Sequence, residues 1–163
     1  MLFTKLDIRW GYNNIQIHDG DQWKAVFKTN HGLFELMVMF FGLTYAPATF
    51  QLMMNHLFRE LIDKGYVTIY MDDILIHTPN DPALHRHVVN NVLHILAVND
   101  LYLKPQKCQF KQTEVEYLSV IIREDSIAMD PIKVQGVKNW KQPSTLKEVW
   151  AFLSFLNFYH MYI

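Results

Sequence analysis

The chain has 163 residues, half of them hydrophobic and 14% aromatic, enough to bury a sizeable core as one globular domain. A formal charge of −1 offers no bulk basic excess to advertise a nucleic-acid partner, and a single cysteine, Cys108, excludes an internal disulfide or a cysteine-rich metal site and fits a reducing compartment. The longest uninterrupted apolar run, Leu36 to Phe41, falls far short of the roughly 20 residues that cross a bilayer, and the start lacks a signal peptide, so an intracellular, cytoplasmic protein without a membrane partner is expected.

Leu2 to Ile8 reads as a strand carrying Asp7, with no preceding element to pair with it. Arg9 to Asn14 is a turn-rich connection into the alternating Ile15-Gln16-Ile17-His18. Lys24 to Thr29 and Leu33 to Met39 predict a hairpin around Asn30-His31-Gly32. Pro47 suits a first helical turn, and Phe50, Met53, Met54, Leu57, Leu61 and Ile62 recur at helical spacing until Gly65.

Val67 to His77 then carries two apolar, β-branched runs that meet at Met71-Asp72-Asp73, the pattern of a tight hairpin. Adjacent carboxylates at a hairpin tip are often only a solvated turn, because a short Asp side chain bonds its own backbone. Here the flanks are almost continuously apolar, which argues for a buried hairpin whose charges need a counter-ion such as a divalent cation. Side chains alternate along a strand, so Asp72 and Asp73 can face the same way only if the turn re-aims one.

Asp81-Pro82 opens a helix with Leu84, Val88, Val92 and Leu96 as its apolar stripe, ending near Asn99-Asp100. Short strands are expected at Leu101 to Leu103, Gln109 to Lys111 and Val115 to Ile122. Asp130-Pro131 begins a helix through Trp140 that Pro143 breaks. Thr145 and Glu148 form a capping-box pair ahead of an apolar helix that runs to Ile163. The order is that of an α+β domain with helices on one face of a sheet.

Asp7, Tyr12, Phe41-Gly42, Ala46-Pro47, Phe50-Gln51 and Tyr70-Met71-Asp72-Asp73, in that order, resemble a reverse transcriptase, most closely the RNA-directed DNA polymerase of gypsy-type LTR retrotransposons. Lys5 to Asn14, Val38 to Gln51, Tyr102 to Cys108 and Asn157 to Tyr159 resemble that family's signatures nearly end to end. The resemblance implies a right-hand polymerase palm, an antiparallel sheet backed by helices, in which residues 1–122 are partial fingers and palm and residues 123–163 begin the thumb or connection. It implies two Mg²⁺ ions, with Mn²⁺ an alternative, held by Asp7, Asp72, Asp73 and the Ile8 carbonyl for transfer of dNTPs to a primer 3′-hydroxyl.

By the same resemblance, Tyr12 is the gate against a ribose 2′-hydroxyl, and Phe41 and Gly42 lie beneath the incoming nucleotide. Pro47, Gln51, Tyr70 and Met71 touch the template-primer, as do Leu118 and Ser119 in the primer-grip segment. Partners would be RNA and DNA template-primer, dNTPs, and the upstream fingers, full thumb and RNase H of a polyprotein that serves transposition in an intracellular particle. The sequence departs from the family at Tyr45, where Asn is usual, at Ser119 and Ser154, where Gly is usual, and at Leu36, where Pro is usual. A non-catalytic, decayed or co-opted fragment that binds nucleic acid or protein is the alternative, and a two-metal phosphatase a more distant one.

Other signals read as ordinary. His87 and His94 share a helix face at a spacing that does not suit a metal pair, and His77 and His85 add no motif. Lys104, Lys107 and Lys111 could follow a nucleic-acid backbone but are equally scattered surface lysines. Trp10, Trp23, Trp140 and Trp150 are expected in the core or in an interface.

Overall fold

The computed structural model describes residues 1–160 and divides into two compact units, Leu2–Gln112 and, with Met1, the residues from Thr113 onward. The first unit is built on a four-stranded antiparallel sheet of order β4-β5-β1-β6, formed by β1 (Leu2–Asp7), β4 (Val67–Tyr70), β5 (Asp73–Thr78) and β6 (Gln109–Gln112). A separate hairpin pairs β2 (Val26–Thr29) with β3 (Gly32–Glu35).

Leu6 of β1 and Ile8 just after it, with Ile74 and Ile76 of β5, point to one side, where α1 (Ala46–Leu57), α2 (Arg59–Asp63) and α3 (Pro82–Val98) cover them with Phe50, Met54, Phe58, Leu61, Val88, Val92 and Leu96. Phe50, Met54 and Phe58 are fully buried, each contributing about 1.5–3 kcal/mol of transfer free energy. Period-2 alternation therefore sends Asp7 and Asp73 to the opposite face. Asp81 caps α3 through bonds from the Ala83 and Leu84 amides, which fixes where the chain leaves β5.

His85 is locked between sheet and helix. The Lys111 amide donates to Thr4 Oγ1 (3.1 Å), Thr4 meets His85 Nε2 (2.8 Å), His85 Nδ1 meets Thr78 Oγ1 (2.9 Å), and Thr78 donates to the Pro79 carbonyl (3.1 Å). One proton arrangement satisfies every atom, a neutral imidazole protonated on Nδ1.

The second unit holds a three-stranded meander, β7 (Val115–Tyr117), β8 (Val120–Ile122) and β9 (Ile127–Met129), with α4 (Pro131–Lys138) and α5 (Leu146–Tyr159). Val120, Met129 and Tyr159 form its small core with Ile122, Val134, Val137 and Phe155. The Thr145–Glu148 capping box is present as expected; the final residues expected in that helix, 161–163, lie outside the described ones.

Several elements differ from expectation. The alternating Ile15 to His18 meets the Met37–Met39 stretch through the bridge Gln16–Val38 without forming a longer strand, and Ile15 and Ile17 pack against the core. The first hairpin strand begins two residues later than expected, at Val26, because Gln22–Ala25 coils into a 3₁₀ turn, and the second runs from Gly32 only to Glu35, short of the expected Met39. The helix that Gly65 ends breaks at Phe58, whose φ of −104° and ψ of 12° are not helical. Leu101 to Leu103 makes one bridge, Leu103 to Ile8, and Val115 to Ile122 is two strands around a turn.

Candidate active site

The β1–β5 register pairs Asp7 directly with Asp73, so these two carboxylates leave the sheet on one face. Only Met71 and Asp72 separate the closing pair Tyr70–Asp73, and Met71 has a φ of 50°, a left-handed conformation that re-aims the residue after it. Asp72 is thereby turned toward the end of β1. The Ile8 amide donates to the Asp72 carbonyl (2.8 Å), and no bond returns from the Asp72 amide to the Ile8 carbonyl among the described residues.

Two further residues fix this geometry. Gln51 of α1 grips the hairpin: its Oε1 accepts the Met71 amide (2.7 Å), while its Nε2 donates to the Ile69 carbonyl (3.2 Å) and to Asn55 Oδ1 (2.9 Å). Gly11 allows the close approach. A Cβ there would lie 2.6 Å from Phe50 Cζ and 3.0 Å from Asp72 Oδ1.

The site is electrostatically loaded. Burial raises the Asp72 carboxyl above its ordinary value; Lys104 opposes this, and Asp7 and Asp73 reinforce it. Burial likewise raises Asp73, with Lys5 opposing and Asp7 reinforcing. Lys104 Nζ lies 2.6 Å from Asp7 Oδ1, and Lys107 Nζ lies 3.4 Å from Oδ2. The Lys104 amide also donates to the Asp7 carbonyl (2.9 Å), which tethers that lysine beside the carboxylate. Two of these three lysine-segment residues are therefore site residues and not scattered surface charges.

Asp72 Oδ1 is buried and has no hydrogen-bond partner, a costly state for a carboxylate oxygen unless a cation completes it. Among the described residues no three His, Cys, Asp or Glu side chains are grouped so as to hold a metal ion by themselves. Magnesium needs no such group: one or two carboxylates, water and substrate oxygens suffice. The donor set of Asp7, Asp72 and the Ile8 carbonyl fits that chemistry.

Tyr12 is buried beside this cluster, edge-on to Phe41 (4.8 Å) and Phe50 (5.5 Å), with its hydroxyl 3.4 Å from Met71 Sδ. Burial, then Asp72 and Tyr70, raise its pKa and keep it protonated. Phe41 and Tyr70 are exposed; Gly42 has a φ of 110° with open space where a Cβ would point, so its backbone angle is what requires glycine. Pro47 occupies the first turn of α1. Leu118 and Ser119 lie in the other unit as the two central residues of the β7–β8 turn, both at positive φ (50° and 66°).

A family model described as reverse transcriptase (RNA-dependent DNA polymerase) matches residues 1–122. The chain belongs to the reverse transcriptase family. The Tf2-3 and Tf2-4 transposon polyproteins of Schizosaccharomyces pombe are 35% identical to it over 162 residues, covering 99% of the chain and 12% of each polyprotein. The foamy viral protease-reverse transcriptase matches its fold, with a TM-score of 0.89 in complex with double-stranded DNA (22% identity, 97% of this chain and 27% of that one). In complex with an RNA/DNA hybrid the same viral protein gives 0.85 (21% identity, 97% and 21%). The α+β palm with helices behind an antiparallel sheet is thus the architecture of this reverse transcriptase chain.

Sequence reasoning alone misses Gly11 as a packing requirement, Gln51 as the clamp on the hairpin, and Lys104 as the partner of Asp7. The Lys5 to Asn14 and Tyr102 to Cys108 segments contain the first and third, but Gly11 gains its role only from Phe50 and Asp72 beside it, and Lys104 only from the bridge that brings it to Asp7. His87 and His94 are exposed on α3, whereas His85 is buried in its threonine network. Trp10, Trp23 and Trp150 are exposed and Trp140 packs on Phe152 and Phe155, so none joins the main core.

Proposed function

We propose that this chain is the catalytic segment of a gypsy-type retrotransposon reverse transcriptase, adding dNTPs to a primer 3′-hydroxyl along an RNA or DNA template. The observation that carries the reading is the buried, donorless Asp72 Oδ1 beside Asp7 and Asp73 in a member of this family. Bound Mg²⁺, or Mn²⁺, would lower the pKa of the primer hydroxyl and neutralise the leaving pyrophosphate.

The chain's own residues do the rest. Asp7, Asp72 and the Ile8 carbonyl present oxygens to the cations, with Asp73 more peripheral. Gln51 and Gly11 hold Asp72 in register with Asp7. The Tyr12 ring, wedged between Phe41 and Phe50, limits the room for a ribose 2′-hydroxyl, while Phe41 and Gly42 support the nucleotide. Pro47, Gln51, Tyr70 and Met71 border the template-primer, and the Leu118-Ser119 turn meets the primer. Residues 1–122 supply late fingers and palm and residues 123–163 the start of the thumb, within an intracellular polyprotein particle.

Because the chain spans about 12% of the polyproteins it matches, the test uses both the purified chain and a Tf2-3 polyprotein in which it replaces the matching segment. The expected result is Mg²⁺-dependent primer extension on an RNA template by the chimera, lost in Asp72→Asn and with dNTPs preferred over rNTPs. Extension that survives Asp72→Asn, or a folded chimera inert with every divalent ion, would reject the reading.

A further inference from the structure

We propose that Lys104 is a resident counter-cation of the carboxylate site, and that Asp7 exchanges its ammonium for a divalent ion when the site is loaded. This rests on the metal-binding reading of Asp7 and Asp72 and adds to it a competitor built into the chain.

The placement is specific. Leu103 bridges to Ile8, the Arg9 amide donates to the Tyr102 carbonyl (2.7 Å), and the Lys104 amide donates to the Asp7 carbonyl (2.9 Å). The backbone of Lys104 is therefore fixed next to Asp7, and Pro105 behind it restricts that backbone further. Its ammonium sits 2.6 Å from Asp7 Oδ1, an oxygen that lacks any hydrogen bond of regular geometry. The side chain of Lys104 is 31% exposed against 11% for Asp7, so the lysine is the partner more open to water. Only the flexible lysine stem has to move for the exchange.

The charges point the same way. Asp7, Asp72 and Asp73 face Lys104 and Lys107, with Lys5 acting on Asp73, so the three acids are already countered by three ammoniums. A divalent ion entering such a neutral cluster would leave it strongly positive unless a lysine withdraws. Lys104 is the one that must, since its nitrogen occupies the space in front of the Asp7 oxygen; Lys107, at 3.4 Å and 63% exposed, gives way more easily.

The test reads metal binding and stability of the purified 163-residue chain without nucleotide. Mn²⁺ titration, followed by water-proton relaxation, should show affinity about tenfold tighter in Lys104→Met than in the parent, less gain in Lys107→Met, and none in Lys64→Met, a surface lysine outside the cluster. Thermal unfolding of the parent, Asp7→Asn, Lys104→Met and the double variant should show Asp7–Lys104 coupling in chelator that disappears in saturating Mg²⁺. In the parent chain itself, the ¹³Cε signal of Lys104 should move with Mg²⁺, a readout that stands if Lys104→Met fails to fold.

Mn²⁺ binding that Asp7→Asn abolishes but Lys104→Met leaves unchanged or weakens would overturn the exchange and leave the metal reading standing. A Lys104 signal unmoved at Mg²⁺ saturation would do the same. Absence of Mn²⁺ binding in both the parent and a folded Lys104→Met chain would overturn the metal reading, and the exchange with it.

Discussion

Gly11→Ala is the sharpest perturbation of the site's frame, because two opposed effects meet at one methyl group. Gly11 does not adopt a left-handed φ, so alanine fits its backbone and by itself would stabilise the fold by about 0.4–1 kcal/mol through the unfolded chain. Against this, the new Cβ would sit 2.6 Å from Phe50 Cζ and 2.9 Å from Cε2. Phe50 is fully buried under the sheet, so its ring cannot swing to solvent. Overpacking of that kind costs about 1–3 kcal/mol, which leaves a net loss centred on about 1.3 kcal/mol, and of about 2.6 kcal/mol at most. Urea unfolding followed by tryptophan fluorescence should show a midpoint lower by about 0.5–1 M at an unchanged slope. Phe50→Leu should make room, so that the double variant loses less than the sum of the two single ones. A Gly11→Ala chain as stable as its parent would refute the close-approach reasoning.

Gln51→Ala removes the acceptor of the Met71 amide and should cost about 1–2 kcal/mol, with the Met71 amide exchanging faster in deuterium exchange; unchanged protection there would contradict the clamp. Ser119→Gly places the residue suited to a φ of 66° in the β7–β8 turn and should stabilise the chain by about 0.5–1 kcal/mol, checked by thermal unfolding. Burial, with Lys111 reinforcing, depresses the His85 pKa, so the folded state prefers the neutral ring. Its contribution is fully present above the unfolded value of about 6.5 and is lost as pH falls below it toward the depressed folded value. The difference in unfolding midpoint between the parent and His85→Gln should therefore shrink on acidification from pH 7.5 to 5.5; a pH-independent difference would contradict the network.

Much of this frame is legible in the residues. The β-branched runs either side of Met71-Asp72-Asp73 specify the hairpin, and Asp81-Pro82 and Thr145 with Glu148 specify helix starts, because each is a local signal with its own hydrogen bonds. What is not legible depends on partners distant in the chain. No proline or glycine marks the break at Phe58; the ring is fully buried at a non-helical backbone angle, a tertiary effect. Ile127–Met129 is too short for alternation to announce a strand and exists by pairing with β8. Ile15 to Ile17 alternates like a strand, yet it joins no sheet, bonding to the Met37–Met39 stretch and, through the Ile15 amide, to the Tyr12 carbonyl.

The site shows the same division. Asp7, Asp72 and Asp73 stand out as acids in apolar strands, and a resemblance assigns them a task. Their distribution about the turn depends on Met71 adopting a positive φ, which Gln51 from another element stabilises. Lys104 looks like any surface lysine until the bridge to Ile8 brings it against Asp7.

The most direct test of the carboxylate cluster as a cation site is anomalous diffraction from crystals of the chain soaked in Mn²⁺, beside crystals of Asp72→Asn. A peak at about 2.0–2.2 Å from oxygens of both Asp7 and Asp72, absent in the variant, is the expected result for hard-cation coordination. No peak at these residues in well-diffracting soaked crystals, or a peak that persists in Asp72→Asn, would contradict the assignment of Asp7 and Asp72 as metal ligands.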